Sequence, residues 1–207
     1  PGETFSIGAF YKKFFNPIES YIRQGADNPI YTYNNAVFAE NYGLEIDMRK
    51  SLASLSQNKL IRNLSLVLNG AIIKSTVDLG GAVTSQSKTR ALQGQSPYII
   101  NGGVYYNNDE KGLMINLLYN VFGKRIFIVG DRVNPTVYEM PRHALDITVT
   151  KKISDKWEAR FGVQDLLNYR TRLLQDSNQD SKVTTVDEPI LSFRRGTYIT
   201  AGINFKF

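Results

Sequence analysis

Thr200-Ala-Gly202-Ile-Asn-Phe205-Lys-Phe207 closes the chain, and its alternation carries the clearest structural signal in the sequence. With Ile199 added, Ile199, Ala201, Ile203, Phe205 and Phe207 fall on one face of a strand. Thr200, Gly202, Asn204 and Lys206 fall on the other. A period of two is the geometry of a β-strand whose two faces meet different surroundings. Two aromatics on the apolar face at the strand's end fit the aromatic girdle of a membrane interface. Gly202 would let a second backbone approach closely or let the strand bend.

The same alternation recurs upstream in seven more segments, 3–15, 37–52, 60–78, 98–107, 113–128, 142–153 and 157–174. Leu44, Ile46 and Met48 alternate with Glu45, Asp47 and Arg49. Leu145, Ile147 and Val149 alternate with Asp146, Thr148 and Thr150. Trp157, Ala159 and Phe161 alternate with Glu158, Arg160 and Gly162. No segment has a 3.6-residue period with helix caps. Short connections at 55–59, 108–112 and 154–156 alternate with long ones near 16–34, 80–97, 130–141 and 175–190. Outer-membrane barrels have short periplasmic turns and long extracellular loops, so this alternation places the C-terminus on the periplasmic side. Several segments also exceed the roughly 9–11 residues that a strand needs to cross a bilayer. The predicted fold is all-β, an antiparallel transmembrane β-barrel segment of about eight strands.

Composition agrees. The 207 residues are 42% hydrophobic and 21% charged, with 12 Tyr and 11 Phe. No apolar run approaches the ~20 residues of a transmembrane helix. A mean hydropathy of −0.27 does not count against a barrel, whose strands show lipid only every second residue. The absence of cysteine excludes disulfides and thiol chemistry. The net charge of +6 is spread among acidic residues without a basic block, which speaks against nucleic acid as a partner. The chain starts at Pro1-Gly2, so a leader has been removed or the true N-terminus lies further upstream.

The C-terminal octet resembles the β-signal by which outer-membrane proteins engage the barrel-assembly machinery. Its pattern residues here are Thr200, Gly202, Phe205 and Phe207. Other stretches, in order, resemble the C-terminal part of a TonB-dependent receptor barrel. They are Tyr42-Gly-Leu-Glu-Ile-Asp-Met-Arg49, Arg90-Ala-Leu-Gln-Gly-Gln-Ser-Pro-Tyr98 with the Ile-Ile-Asn-Gly-Gly-Val-Tyr-Tyr106 that follows, and Pro141-Arg-His-Ala-Leu-Asp-Ile-Thr-Val-Thr150. The last is Phe161-Gly-Val-Gln-Asp-Leu-Leu-Asn168, with Asp165 where the family usually has Asn. The resemblance implies that residues 1–207 are the last part of a barrel of about 22 strands, with the plug domain and earlier strands absent. It implies an outer-membrane location and TonB-dependent uptake of a scarce ligand such as an iron chelate, cobalamin, glycan or peptide. The implied partners are outer-membrane lipid, the barrel-assembly machinery, and TonB and the plug through the missing part. The extracellular ligand is unknown from the sequence.

Glu45, Asp47, Arg49, Asp146, Glu158 and Arg160, with Asn101, Asn116 and Lys206, are the polar residues expected to face a water-lined lumen. Arg23, Lys88, Arg90 and Arg132 in the long loops are candidates for anionic ligands. Asp176, Asn178 and Asp180 place oxygen ligands at alternate positions, as a calcium loop does, but Ser181 replaces the loop glycine and Asp187 the final Glu. No cofactor and no other metal site is expected. The single histidine, His143, has no marked catalytic partner, and nucleophile-elbow, P-loop and zinc motifs are absent, so no enzyme activity is expected. Two other readings stay open. One is a self-contained eight-stranded barrel with a structural or adhesive role, pairing 3–15 with 191–207. The other is a secreted β-sandwich.

Overall fold

The structure, a computed structural model, describes residues 2–80, 90–131 and 133–207. Its main body is an antiparallel sheet built from β1 (Thr4–Phe15), β4 (Phe38–Ser51), β5 (Leu64–Asp78), β6 (Tyr98–Asn108), β7 (Leu113–Phe122), β10 (His143–Lys152), β11 (Trp157–Gln164) and β14 (Tyr198–Phe205), in that spatial order. Each strand lies beside its predecessor in the meander, as hairpin connections require. β1 and β14 are the two ends of this order, and among the described residues neither pairs with the other. An eight-stranded barrel closed on itself would need that pairing.

Register fixes which residues share a face, because directly opposed residues in an antiparallel pair point the same way. One row runs Ile7, Ile46, Gly70, Ile100, Val121 and His143. A second runs Val104, Leu117, Ile147, Val163 and Ile199. This apolar face is continuous across the sheet, and no second layer covers it: Ile7, Leu44, Ile72, Ile199 and Ile203 are all well over half exposed. A soluble sandwich would bury this face against a second sheet. Lipid is the surrounding that suits it. Trp157, Phe205 and Phe207 stack at the turn end, with ring centroids 4.7 Å and 5.3 Å apart.

The turn end is tight. Gly112 sits at φ 55° in the β6–β7 turn, a left-handed conformation that suits glycine, and donates its N–H to the Asp109 carbonyl at 3.1 Å. Ser154 Oγ accepts from the Trp157 N–H at 3.2 Å in the β10–β11 turn. The β4–β5 connection holds the one-turn helix α1 (Lys59–Arg62), capped by Asn58, whose side chain accepts from the Leu60 N–H at 2.9 Å. Within the sheet, Gly43 is obligatory: a Cβ there would stand 2.1 Å from the Ile72 carbonyl oxygen.

Three predicted strands are each two elements. The 113–128 segment divides at Gly123–Lys124 into β7 and β8 (Arg125–Ile128): the Gly123 N–H still donates to the Tyr98 carbonyl at 2.9 Å, while the Pro97 carbonyl just before it is taken by the Ile73 N–H of β5. The 157–174 segment divides at Asp165 and Asn168, both at positive φ, into β11 and β12 (Thr171–Gln175). The 191–207 segment divides at Gly196, at φ 92°, which separates β13 (Glu188–Phe193) from β14. The long connections are also not plain loops. The first holds a hairpin of β2 (Ile18–Gln24) and β3 (Pro29–Asn35). Another contributes β9 (Val137–Glu139), which with β8, β12 and β13 forms a four-stranded sheet. The small buried clusters are here and at the sheet's upper margin, with Ile22, Val137 and Leu173 in one and Ile126, Val129 and Tyr138 in another.

If the apolar face meets lipid, Ile46→Lys in the folded full-length protein costs about 2–4 kcal/mol near the bilayer midplane. Asn101→Lys, on the opposite face, costs far less. Urea unfolding in lipid vesicles measures both, and equal costs would contradict the face assignment.

Candidate functional site

The polar face lies opposite the apolar one, and the register puts Glu45, Asp47, Arg49, Asp146, Glu158 and Arg160 all on it. It brings only some of them into contact. Asp47, Asn69, Asn101 and Asn120 stand in one cross-strand row over four adjacent strands. Asn120 Nδ2 donates to Asn101 Oδ1 at 2.6 Å, Asn101 Nδ2 to Asn69 Oδ1 at 3.2 Å, and Asn69 Nδ2 reaches Asp47 Oδ2 at 3.5 Å. Asn101 and Asn69 each both accept and donate, so the row is a polar ladder that starts at Asn120 and ends on a carboxylate. Asp146 Oδ1 accepts from the Asp165 N–H at 2.8 Å, and Glu158 Oε1 from Asn204 Nδ2 at 3.4 Å. Glu45, Arg49 and Arg160 make no ion pair among the described residues. Asn69 and Asn120 carried a legible signal: an Asn at the polar position of successive strands.

Of the C-terminal pattern residues, Thr200 and Gly202 sit on the polar face opposite Gly162 and Arg160, and Phe205 on the apolar face opposite Trp157. A Cβ on Gly202 would meet nothing within 4 Å, so no close approach inside this chain demands glycine there.

Above the sheet, the long connections form a packed crown. Glu19 of β2 is 3% exposed and receives both guanidinium nitrogens of Arg90, Nη1 at 2.8 Å and Nη2 at 2.7 Å. Glu19 also accepts from the Gln93 N–H at 2.9 Å, and the Gln93 amide donates to the Phe127 carbonyl. The buried carboxylate therefore ties two connections together, and the Gln93 side chain extends the tie to a third. The β2 backbone continues the tie, with the Ile22 N–H donating to the Val129 carbonyl at 2.8 Å. Arg125 pairs with buried Glu139 at 2.7 Å, and Arg142 with buried Asp165. The latter pair joins the 141–150 and 161–168 stretches.

The loop cations need revision. Arg90 is committed to Glu19, because a buried carboxylate requires a charge partner. Arg23 is exposed on β2. Lys88 and Arg132 lie outside the described residues. The candidate calcium residues also have other work. The Asp176 carboxylate, 3% exposed, accepts the N–H groups of Asp180 at 3.2 Å and Ser181 at 2.9 Å. Asn178 Nδ2 donates to Asp180 Oδ2 at 3.1 Å, and the Lys182 N–H donates to Asp180 Oδ1 at 2.7 Å. These are capped turns. Among the described residues no group of three His, Asp or Glu side chains could hold a metal.

A cleft of about 320 Å³ opens where three connections meet the sheet. Lys74, Arg90, Lys124, Arg125 and Tyr138 line it, and no carboxylate among the described residues does. Lys124 Nζ donates to the Ser181 carbonyl at 3.0 Å and lies 4.3 Å from the Tyr138 ring centroid. The sequence does not show this cleft, because its walls come from segments far apart in the chain, two read as strands and the others as loops.

No family model matches the sequence, and no curated protein matches it. Solved structures do. The chain is similar to "Copper transporter OprC" over 98% of its own length and 28% of that chain, with a TM-score of 0.59 and 16% identity. It is similar to the ferric yersiniabactin uptake receptor FyuA from Yersinia pestis over 97% of its length and 34% of that chain, with a TM-score of 0.52 and 14% identity. It thus spans about a third or less of the length of each.

Arg90→Met would leave Glu19 buried without its partner, a loss of about 3–5 kcal/mol. Hydrogen exchange should show β2 and residues 90–97 losing protection while β5 and β6 keep theirs. A second expectation concerns Asp131. Burial raises its pKa, but N–H groups of Asn134, Val133 and Gln24 outweigh that and hold it below the ordinary value. A carboxylate with a depressed folded pKa stabilises above its unfolded pKa of about 3.9 and loses that contribution as pH falls through the folded value. Protection of the Gln24 amide should therefore weaken in acid below about pH 4, and Asp131→Asn should flatten that dependence.

Nearly the whole chain thus aligns with part of that copper transporter and part of that uptake receptor, and it carries the barrel-segment fold it shares with them.

Proposed function

We propose that residues 1–207 are the C-terminal part of the barrel of a TonB-dependent outer-membrane receptor, which takes up a scarce extracellular ligand. The observation that carries this reading is the eight-stranded sheet itself. Its outer strands are unpaired with each other, one face is apolar and the other polar, and every long connection is at one end. A sheet with two free edges needs neighbouring strands in a membrane, where unpaired backbone groups are costly. The missing strands of a larger barrel supply them. In this reading the asparagine ladder faces the lumen and the plug. The crown forms part of the extracellular vestibule. Thr200, Gly202, Phe205 and Phe207 engage the barrel-assembly machinery, and outer-membrane lipid covers the apolar face.

The solved relatives are described as handling copper and ferric yersiniabactin, so metal ions and ferric chelates are the first probes. Cells expressing the full-length gene, with and without TonB, should accumulate copper(II) or one of a panel of ferric chelates only when TonB is present. Accumulation indifferent to TonB for every probe would overturn the reading. So would an efficient disulfide between Ile7→Cys and Ile203→Cys, which would close the eight strands on themselves.

A further inference from the structure

The cleft at the crown's base has an unusual charge arrangement. Among the described residues four cations line it and no acid does, although Glu19 and Glu139 hold two of those cations from outside the lining. Glu19 fixes the Arg90 guanidinium through both terminal nitrogens. The Arg90 side chain is 9% exposed, and its Nε has no hydrogen-bond partner among the described residues. A buried N–H with no acceptor is costly, and it is the kind of group that a ligand oxygen satisfies. Arg125 is anchored to Glu139 through Nε and Nη2, so it too is held in place. Preorganised guanidinium groups lose little freedom on binding.

Lys74 and Lys124 are the cleft cations not held by a carboxylate among the described residues; Lys74 Nζ lies 5.9 Å from the Tyr42 ring centroid, and Lys124 is the one beside Tyr138 and Ser181. Asp176, Asp180 and Asp187 are near enough to favour its charge, but burial dominates and holds its amine below the ordinary value. Their carboxylates are taken by N–H groups of their own turns, Asp187 by those of Ser177 at 3.0 Å and Thr184 at 2.6 Å. Gln95, Ser96 and Ser181 add polar groups to the wall. The volume is at the lower end for a small-molecule site.

We infer that this cleft binds a compact, carboxylate-bearing anion, held between Lys124 and the orphan Nε–H of Arg90. The inference rests on the receptor reading, in which the crown meets ligand from outside, and deepens it by naming a ligand chemistry. The receptor takes such an anion alone or as the carboxylate arm of a larger chelate.

The full-length receptor, purified in detergent free of lipopolysaccharide, is titrated calorimetrically with citrate at low salt, with sucrose as the neutral control. Saturable citrate binding is expected, weakened about tenfold by Lys124→Gln and unchanged by Arg23→Gln on the outer hairpin. Heat-modifiable migration confirms that each variant is folded. The absence of saturable binding, or equal affinity in wild type and Lys124→Gln, would overturn the inference. The phosphates of lipopolysaccharide share this chemistry, and their displacing citrate through Lys124 would reassign the cleft to a lipid headgroup. A failure of citrate binding leaves TonB-dependent uptake standing, and a failure of TonB dependence leaves citrate binding measurable.

Discussion

Backbone hydrogen bonding in a place without water is the constraint on which the rest depends. A chain crossing lipid must satisfy every N–H and C=O group internally, and strands do so only by pairing on both sides. The meander from β1 to β14 meets this demand for its interior strands and leaves it open at the two ends. With pairing spent on the backbone, the side chains are free to sort by face. They sort most clearly along the middle of the strands: Ile7, Ile46 and Ile100 on one side, Asp47, Asn69 and Asn101 on the other. The Asp47–Asn120 ladder shows how the polar side is satisfied without burying unpaired charge, since its two middle amides, Asn69 and Asn101, both give and receive along the row.

The crown obeys a different rule. Outside the membrane its segments have few apolar residues to bury, and its hydrophobic clusters contain only a handful of side chains each. Buried ion pairs complete the order. Glu19 with Arg90 and Arg142 with Asp165 join different segments, 71 and 23 residues apart, while Arg125 with Glu139 closes one connection on itself. Such pairs are weak sources of net stability but strong constraints on geometry when every partner is satisfied. They fix the relative placement of the connections, and the cleft between those connections is a product of that placement.

The membrane strands were legible because their period and length are written in single residues, as in Leu44-Glu-Ile-Asp-Met48. The breaks were less so. Asp165, at φ 54°, ends β11 with its carboxylate on Arg142, a partner 23 residues away in sequence. β2, β3 and β9 escaped because they lie inside the long connections, while β8, β12 and β13 were read as parts of longer spanning strands. Arg90 looked like a free ligand cation because Glu19 is 71 residues away.

By itself the sequence determined the all-β class, the order of the eight spanning strands, the two faces and the side on which the long connections gather. These follow from local alternation and turn chemistry, which act over a few residues. Only the tertiary structure decided the open edges, the asparagine ladder as a connected row, the fate of each loop cation and the existence of the cleft. Those depend on which distant residues meet, and a register or a buried charge pair is a property of two segments together.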